Sequence, residues 1–336
     1  MRFPHLTLLI APLLLAACTS GTFTGSDGSQ VHVSCNAVPT AVVTTVTSGT
    51  CSWTASPAPT TTAPPVAGFP TPATTGVPAG TVLTTHGGDV TITTTNQVIS
   101  GWHVTGSLLV NAPGVQVLNS QVDGYLDNEN TGQGSARMTV TDTTVGAATG
   151  CNDLPGVGEH DYTALRVLIR NHGDGFRISG PNVSVSDSFV QACDSVNNHD
   201  DGMQAYCPTV LCDNIAMNHN TLSVAKTQNY TAPLFGGVGS SNGQIAHASF
   251  TNNLLYGGVF SIYLGWSQGP SLTITGNRVA TNPWTDSTGH VVNGWYYGSS
   301  SLNGTCGHVT WTDNRAVTID SNWQLTADGG PLSCLN

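Results

Sequence analysis

The chain has 336 residues but only 8 Lys+Arg and 19 Asp+Glu, so charged residues make up 8% of it, against roughly 25% in an ordinary soluble domain. A formal net charge of −11 excludes nucleic-acid binding, which needs a basic footprint. Asp outnumbers Glu 17 to two and Arg outnumbers Lys seven to one; without the two usual solvent-side helix formers, a helical bundle or coiled coil is excluded as well. Hydrophobic residues at 39% argue against a disordered chain.

Residues 1–17 read as an export signal: Arg2, an apolar run from Leu6 to Leu15, then small residues. The run is too short to span a bilayer. Leu15-Ala16-Ala17-Cys18 resembles the lipobox of bacterial lipoproteins, which implies cleavage before Cys18, a lipid on it, and anchoring on the outer side of a bacterial membrane. A plain Ala-x-Ala cleavage site and simple secretion is the alternative. Setting Cys18 aside leaves eight cysteines: Cys35, Cys51, Cys151, Cys193, Cys207, Cys212, Cys306 and Cys334. An even number suits disulfides in an oxidising, extracytoplasmic compartment. Proximity suggests Cys35–Cys51, Cys207–Cys212 and Cys306–Cys334, leaving Cys151–Cys193, although sequence alone does not fix the pairing. A thiolate zinc site is disfavoured, because no Cys-x-x-Cys occurs.

Residues 18–54 combine a Thr/Ser/Gly tether with a small segment that alternates apolar and polar around Cys35 and Cys51, as a stapled hairpin would. Residues 55–67 form a Pro/Thr linker, extended and semi-rigid. From residue 68 a short pattern recurs: an apolar residue, mostly polar ones rich in Asn, Asp, Ser or Thr, then apolar again. It runs Val117-Leu-Asn-Ser-Gln-Val122, Val140-Thr-Asp-Thr-Thr-Val145, Val185-Ser-Asp-Ser-Phe-Val190 and Met217-Asn-His-Asn-Thr-Leu222. It continues as Phe250-Thr-Asn-Asn-Leu-Leu255, Ile274-Thr-Gly-Asn-Arg-Val279 and Trp311-Thr-Asp-Asn. The starts are 23, 45, 32, 33, 24 and 37 residues apart; the 45 fits two coils with one degenerate member. Periods of this size indicate a solenoid, and β-branched strands with Asn/Gly corners make it a parallel β-helix rather than a helical repeat. Coils then stack at ~4.8 Å, and Asn at a fixed corner can form a ladder. The expectation is an all-β chain: a parallel β-helix over 68–297, a disulfide-held cap over 298–336, and a small disulfide-stapled N-terminal segment.

Several stretches, Gly68-Phe69-Pro70, Thr75-Gly76-Val77-Pro78-Ala79-Gly80-Thr81, His199-Asp200-Asp201-Gly202-Met203-Gln204 and Tyr256-Gly257-Gly258 among them, resemble segments of secreted bacterial right-handed β-helix proteins of the pectin-lyase-like superfamily. Gly68-Phe69-Pro70 with Thr75-Gly76-Val77-Pro78-Ala79-Gly80-Thr81-Val82-Leu83 resembles the family's opening. Val98-Ile99-Ser100-Gly101-Trp102-His103-Val104-Thr105-Gly106 resembles its next coils. His199-Asp200-Asp201-Gly202-Met203-Gln204 resembles its H-x-DG-[IM]-Q signature, and Tyr256-Gly257-Gly258 with Tyr263 its later turn. The resemblance covers about residues 68–280. It implies the fold and export, and a superfamily of polysaccharide lyases, inverting glycosidases, esterases and non-catalytic proteins. The polygalacturonase set is incomplete here: there is an Asp-Asp pair but no G-H-G and no R-I-K.

Two segments carry the candidate chemistry. His172-Gly173-Asp174-Gly175-Phe176-Arg177 and His199-Asp200-Asp201-Gly202-Met203-Gln204 share N-H-x-D-G-apolar and lie 27 residues apart, one coil. Asp174 and Asp201 should therefore stack, and two carboxyls so close cannot both ionise freely. That is a general acid beside a base or nucleophile, with His172 and His199 alongside. The competing reading is structural, since Asp-Gly is a common turn dipeptide. Arg177 and Gln204 are placed to bind sugar hydroxyls or a carboxylate. Lys226, the only Lys, falls one coil further on; with Arg177 it is a candidate base for a uronate lyase. Asp194 and Asp200, with the Asp pair, offer oxygen ligands for Ca²⁺; His172, His199 and Asp201 offer a zinc set. Tyr263, Trp266, Trp284, Trp295, Tyr296 and Tyr297 offer stacking surfaces for sugars. Glu159-His160-Asp161 is a further polar cluster, expected in a loop.

The expectation is a monomeric extracytoplasmic protein that cleaves glycosidic bonds in a polysaccharide through paired Asp. A Ca²⁺-dependent uronate lyase and a non-catalytic glycan-binding or structural surface protein are the alternatives.

Overall fold

The computed structural model describes residues 68–128, 137–195, 199–207, 210–224, 231–236, 245–264, 271–281 and 309–334, and the strand backbone at 21–24, 30–33 and 294–298. The chain divides into two compact units, residues 1–61 and 62–336. In the first, Gly21–Thr24 pairs antiparallel with Gln30–Val33. This hairpin closes N-terminal to Cys35; the expected Cys35–Cys51 staple, Cys18, the signal and the linker lie outside the described residues.

The second unit is all-β among the described residues. Each turn of chain contributes one strand to each of three parallel sheets, the topology of a parallel β-solenoid. The first sheet runs from Val90–Ile92 to Gly294–Gly298, the second from Val98–Ser100 to Val309–Thr312, and the third from Thr84–His86 to Arg315–Ile319. An antiparallel strand, Leu325–Pro331, closes the third sheet. Stacking thus continues past residue 297. In the second sheet, Val115–Leu118, Met138–Thr141, Tyr162–Leu165 and Val183–Ser186 align residue for residue. Their first and third residues are buried and their second face outward, the period of two that a half-buried strand requires.

The repeated Asn/Asp position is the corner after the second sheet. Asn119, Asp142, Asp187, Asn252 and Asp313 all take φ between 47° and 56° there, the left-handed region that Asn and Asp tolerate better than other residues with a Cβ. The degenerate coil is also found: Ala164-Leu165-Arg166-Val167 fills the 45-residue gap, with Arg166 at φ 51°. Its strain is offset locally, because Asp142 accepts two bonds from its guanidinium, both at 2.7 Å.

One residue later in the turn a buried side-chain ladder runs through the last coils. The Oδ1 atoms of Asn220, Asn253, Asn277 and Asn314 accept the backbone N–H of Ser188, Asn220, Asn253 and Asn277, at 2.9–3.1 Å. Their Nδ2 atoms donate to the carbonyls of Val185, Met217, Phe250 and Ile274. Each amide is therefore satisfied at both ends inside a dry core.

The segment from Phe69 to Val77 lies as a strap on the outer side of the third sheet. Thr221 Oγ1 donates to Pro70 O at 2.7 Å, Phe69 stacks on His219, and Val77 N donates to Thr144 Oγ1. Trp323 of the C-terminal turn meets Phe189 and Tyr256 edge-on, so that face holds its own apolar cluster. Two of the expected disulfides are present, Cys151–Cys193 and Cys207–Cys212. Cys334 is also disulfide-bonded; Cys306 lies outside the described residues.

Candidate functional site

Asp174–Ile178 and Asp201–Ala205 are adjacent strands of the first sheet, and Asp174 pairs with Asp201 in register. The Asp-Gly dipeptides are therefore not turns but strand starts, and neither glycine has a positive φ. Their role is close approach. A Cβ on Gly175 would fall 2.6 and 2.9 Å from the Val190 methyl groups, and one on Gly202 would fall 2.9 Å from Leu222 Cβ. Nearer still are backbone carbonyls of the next coil, Gly202 O at 2.2 Å from the Gly175 position and Pro233 O at 2.5 Å from the Gly202 position, so both glycines press on the next coil and on the third sheet, while Phe176 and Met203 are also buried in the core. Two successive inward positions break the alternation. Asp174 and Arg177, and likewise Asp201 and Gln204, are left on the same outer side, three residues apart.

The bonds agree with that geometry. Gln204 Nε2 donates to Asp201 Oδ2 at 2.9 Å. Asp174 Oδ1 accepts the N–H of Asp201 at 3.0 Å, and Asp201 Oδ1 that of Ala232 at 2.9 Å. Both carboxyls are completely buried. Burial pushes Asp174 up to about 7, against the opposing pull of Arg177 and the bond from the Asp201 N–H; Asp200 and Glu159 add to the rise. Burial, and then Asp174 itself, hold Asp201 well above the ordinary carboxylate range. Burial therefore works against ionising both carboxyls at once, the electrostatic setting that general acid–base chemistry uses.

The outer row beside the pair is continuous. Register aligns Gly158, Arg177, Gln204, Phe235, Tyr263 and Tyr297 on successive coils. The rings of Phe235 and Tyr263 lie 5.2 Å apart, and Phe260 is 6.1 Å from Tyr263. The Arg177 guanidinium lies 5.4 Å from the centre of the Tyr206 ring, with its Nε 3.8 Å from Glu159 Oε2. Arg177 and Gln204 offer charge and hydrogen bonds, and Phe235 and Tyr263 aromatic faces, the two kinds of contact a sugar chain takes.

Of the expected site residues, Asp174, Asp201, Arg177, Gln204 and Tyr263 are brought onto one face. The two histidines are not stacked. His172 is fully buried, with its ring nitrogens 2.7 Å from Leu154 O and 3.2 Å from Gly124 O. Burial holds its pKa below the usual range despite those two carbonyls. His199 is exposed. Asp200 is buried, its Oδ1 accepting the Ser195 N–H at 3.2 Å, and Asp194 is exposed. Among the described residues no three His, Cys, Asp or Glu are grouped to hold a metal ion. Lys226, Trp266 and Trp284 lie outside the described residues, as do the side chains of Trp295, Tyr296 and Tyr297. Sequence reasoning missed Phe235 and Tyr206. Phe235 follows Gln204 by 31 residues, one coil at the spacing already in view, and that offset was the available signal.

Comparison of the chain with family models, with curated proteins and with solved structures gave no match.

Proposed function

We propose that this chain is a right-handed parallel β-helix of the pectin-lyase-like kind that binds a polysaccharide along the outer face of its first sheet. There it hydrolyses a glycosidic bond with the Asp174/Asp201 pair. The observation that carries this reading is the in-register stack of two buried carboxyls, flanked by Arg177 and Gln204 and continued by Phe235 and Tyr263. The protonated carboxyl is the acid for the leaving oxygen; its partner is the base or nucleophile. The reading extends to an extracytoplasmic protein held by a lipid on Cys18, with a small Cys35/Cys51 segment ahead of the linker. The two disulfides in the second unit support an oxidising compartment.

A second reading is favoured by one observation, the complete burial of both Asp side chains. In it the chain binds a glycan on the same row without cleaving it, and the pair only ties one coil to the next. The protein is incubated with a panel of neutral and uronate glycans, with and without a chelator. New reducing ends that Asp174→Asn or Asp201→Asn lower by 10³-fold or more support hydrolysis. An ultraviolet-absorbing unsaturated product lost with chelator would replace that reading by a lyase. Retention of a glycan with no cleavage would leave the binder.

A further inference from the structure

The outer face of the second sheet takes no part in the site above, and it is built on a regular plan. Its nine strands align without a shift of register. One outward row holds Thr139, Thr163, Ser184, Ser249, Thr273 and Thr310. Two residues further along the strands, a second row holds Thr141, Ser186, Thr251, Thr275 and Thr312. All of these side chains are exposed or half-buried. The remaining members of both rows, Gln116, Leu165 and Ala216 among them, carry no charge. The outer row of the third sheet is the contrast, since it carries His103, Arg278 and Arg315 and lies partly under the strap.

Thr and Ser are ordinary in exposed strands, but these hydroxyls are unusually idle. Within the two rows, and among the described residues, only the Thr251 hydroxyl bonds a protein group, donating to Asn218 Oδ1 at 2.9 Å. The hydroxyls of the adjoining corner behave otherwise. Ser120, Thr143 and Ser188 each donate to the carbonyl two residues back, at 2.7–2.9 Å. The face therefore offers free hydroxyls at intervals of ~4.8 Å from coil to coil and ~6.6 Å along each strand. A single polymer chain can match one of those axes; matching both takes a crystal. The absence of charge calls for an uncharged one. The absence of aromatic rings sets this face apart from the first sheet, where Phe235 and Tyr263 offer rings to a sugar. Ice meets all three conditions, because oxygen positions on its prism faces repeat at nearly these two intervals and every oxygen both donates and accepts hydrogen bonds.

We infer that the outer face of the second sheet binds ice. Each hydroxyl donates to one water and accepts from others. The Thr methyl groups between them offer water no partner, so those waters bond one another and hold the spacing that the sheet imposes. The inference uses no residue of the first sheet and stands apart from the polysaccharide reading.

The test grows ice slowly from a solution of the full chain carrying a fluorescent label. The chain should enter the ice at several times the level of serum albumin. Thr163→Tyr and Thr273→Lys should each lose that enrichment. Val82→Tyr, at a residue 89% exposed and off this face, should keep it. Unchanged circular dichroism and melting show that each variant folds; Ser184→Lys, one coil from Thr163, replaces a variant that does not. Exclusion of the wild-type chain from ice overturns the proposal, and so does undiminished entry by the folded variants. Sedimentation with crystalline cellulose or chitin that Thr163→Tyr abolishes, without entry into ice, assigns the face to a solid polysaccharide and overturns it too.

Discussion

Two corners of the solenoid tie coil to coil by buried side chains, and they do it with different chemistry. At the corner after the second sheet, Asn220, Asn253, Asn277 and Asn314 each accept an N–H from the coil before and donate to a carbonyl of that same coil. At the start of the first sheet, Asp174 and Asp201 each accept an N–H from the coil after, but a carboxylate has no donor to return. The amide ladder is neutral and complete. The acid pair is neither, unless it keeps a proton. An Asn at either position would bond the same backbone N–H without any charge. Keeping Asp in a dry site therefore costs stability that the coil stacking does not require, and such local costs concentrate at sites of function.

The largest effect should come from putting the acid chemistry into the amide ladder. Asn253→Asp would turn the Nδ2 that serves Met217 O and Asn277 Oδ1 into a second oxygen facing two acceptors. Urea unfolding at pH 8 should show a loss of about 3–5 kcal/mol, as for a buried charge stripped of partners, partly recovered at pH 4. The converse exchange should do the opposite. Asp174→Asn should stabilise the fold at pH 8 by a few kcal/mol and do nothing at pH 3. The sign follows from linkage. The folded Asp174 holds its proton up to about 7, whereas the unfolded chain releases it near the ordinary value of about 3.9. Between those pH values the folded state binds more protons, so its stability falls as pH rises. At 1.36 kcal/mol for each pKa unit the fall approaches ~4 kcal/mol. The difference between wild type and Asp174→Asn across pH 3–9 isolates it. A flat difference would mean the pair carries no such cost. Next comes the backbone device that sets the pair apart. Gly175→Ala should destabilise by about 3 kcal/mol or more through overpacking against the Gly202 carbonyl and Val190, without altering the pH slope.

The two corners also differ in how far the sequence revealed them. The amide corner was legible because left-handed φ favours Asn and Asp, so the geometry writes itself into residue type at Asn119, Asp142, Asp187 and Asn252. The coil through Arg166 was hidden for the same reason: there the conformation is held by the Asp142 ion pair rather than by residue type. The stacking of Asp174 on Asp201 could be read from spacing, which fixes register. What spacing does not fix is side-chain environment. The two copies of N-H-x-D-G place one histidine in the core, between two carbonyls, and the other in solvent. The glycines looked like turn residues and are instead points of close packing. Phe235 carried no motif; only its one-coil offset from Gln204 marked its outer-row position.

The smallest predicted effect separates burial from the carboxylate itself as the cause of the cost. Asp142 is also an acid in the coil repeat, but it is only partly buried and has both oxygens bonded to Arg166, the two side chains being 22% and 20% exposed. Water screens this pair, and ordering two side chains offsets much of their attraction. Arg166→Gln should therefore cost less than about 1 kcal/mol, and less again in 1 M salt, where the Debye length is only ~3 Å. Asp174→Asn should keep its full gain in the same salt, because its charge is not exposed to the ions. If Arg166→Gln costs more than Asp174→Asn gains at pH 8, then carboxylates are expensive wherever the coil places them. The contrast between the two corners would then say nothing about a site.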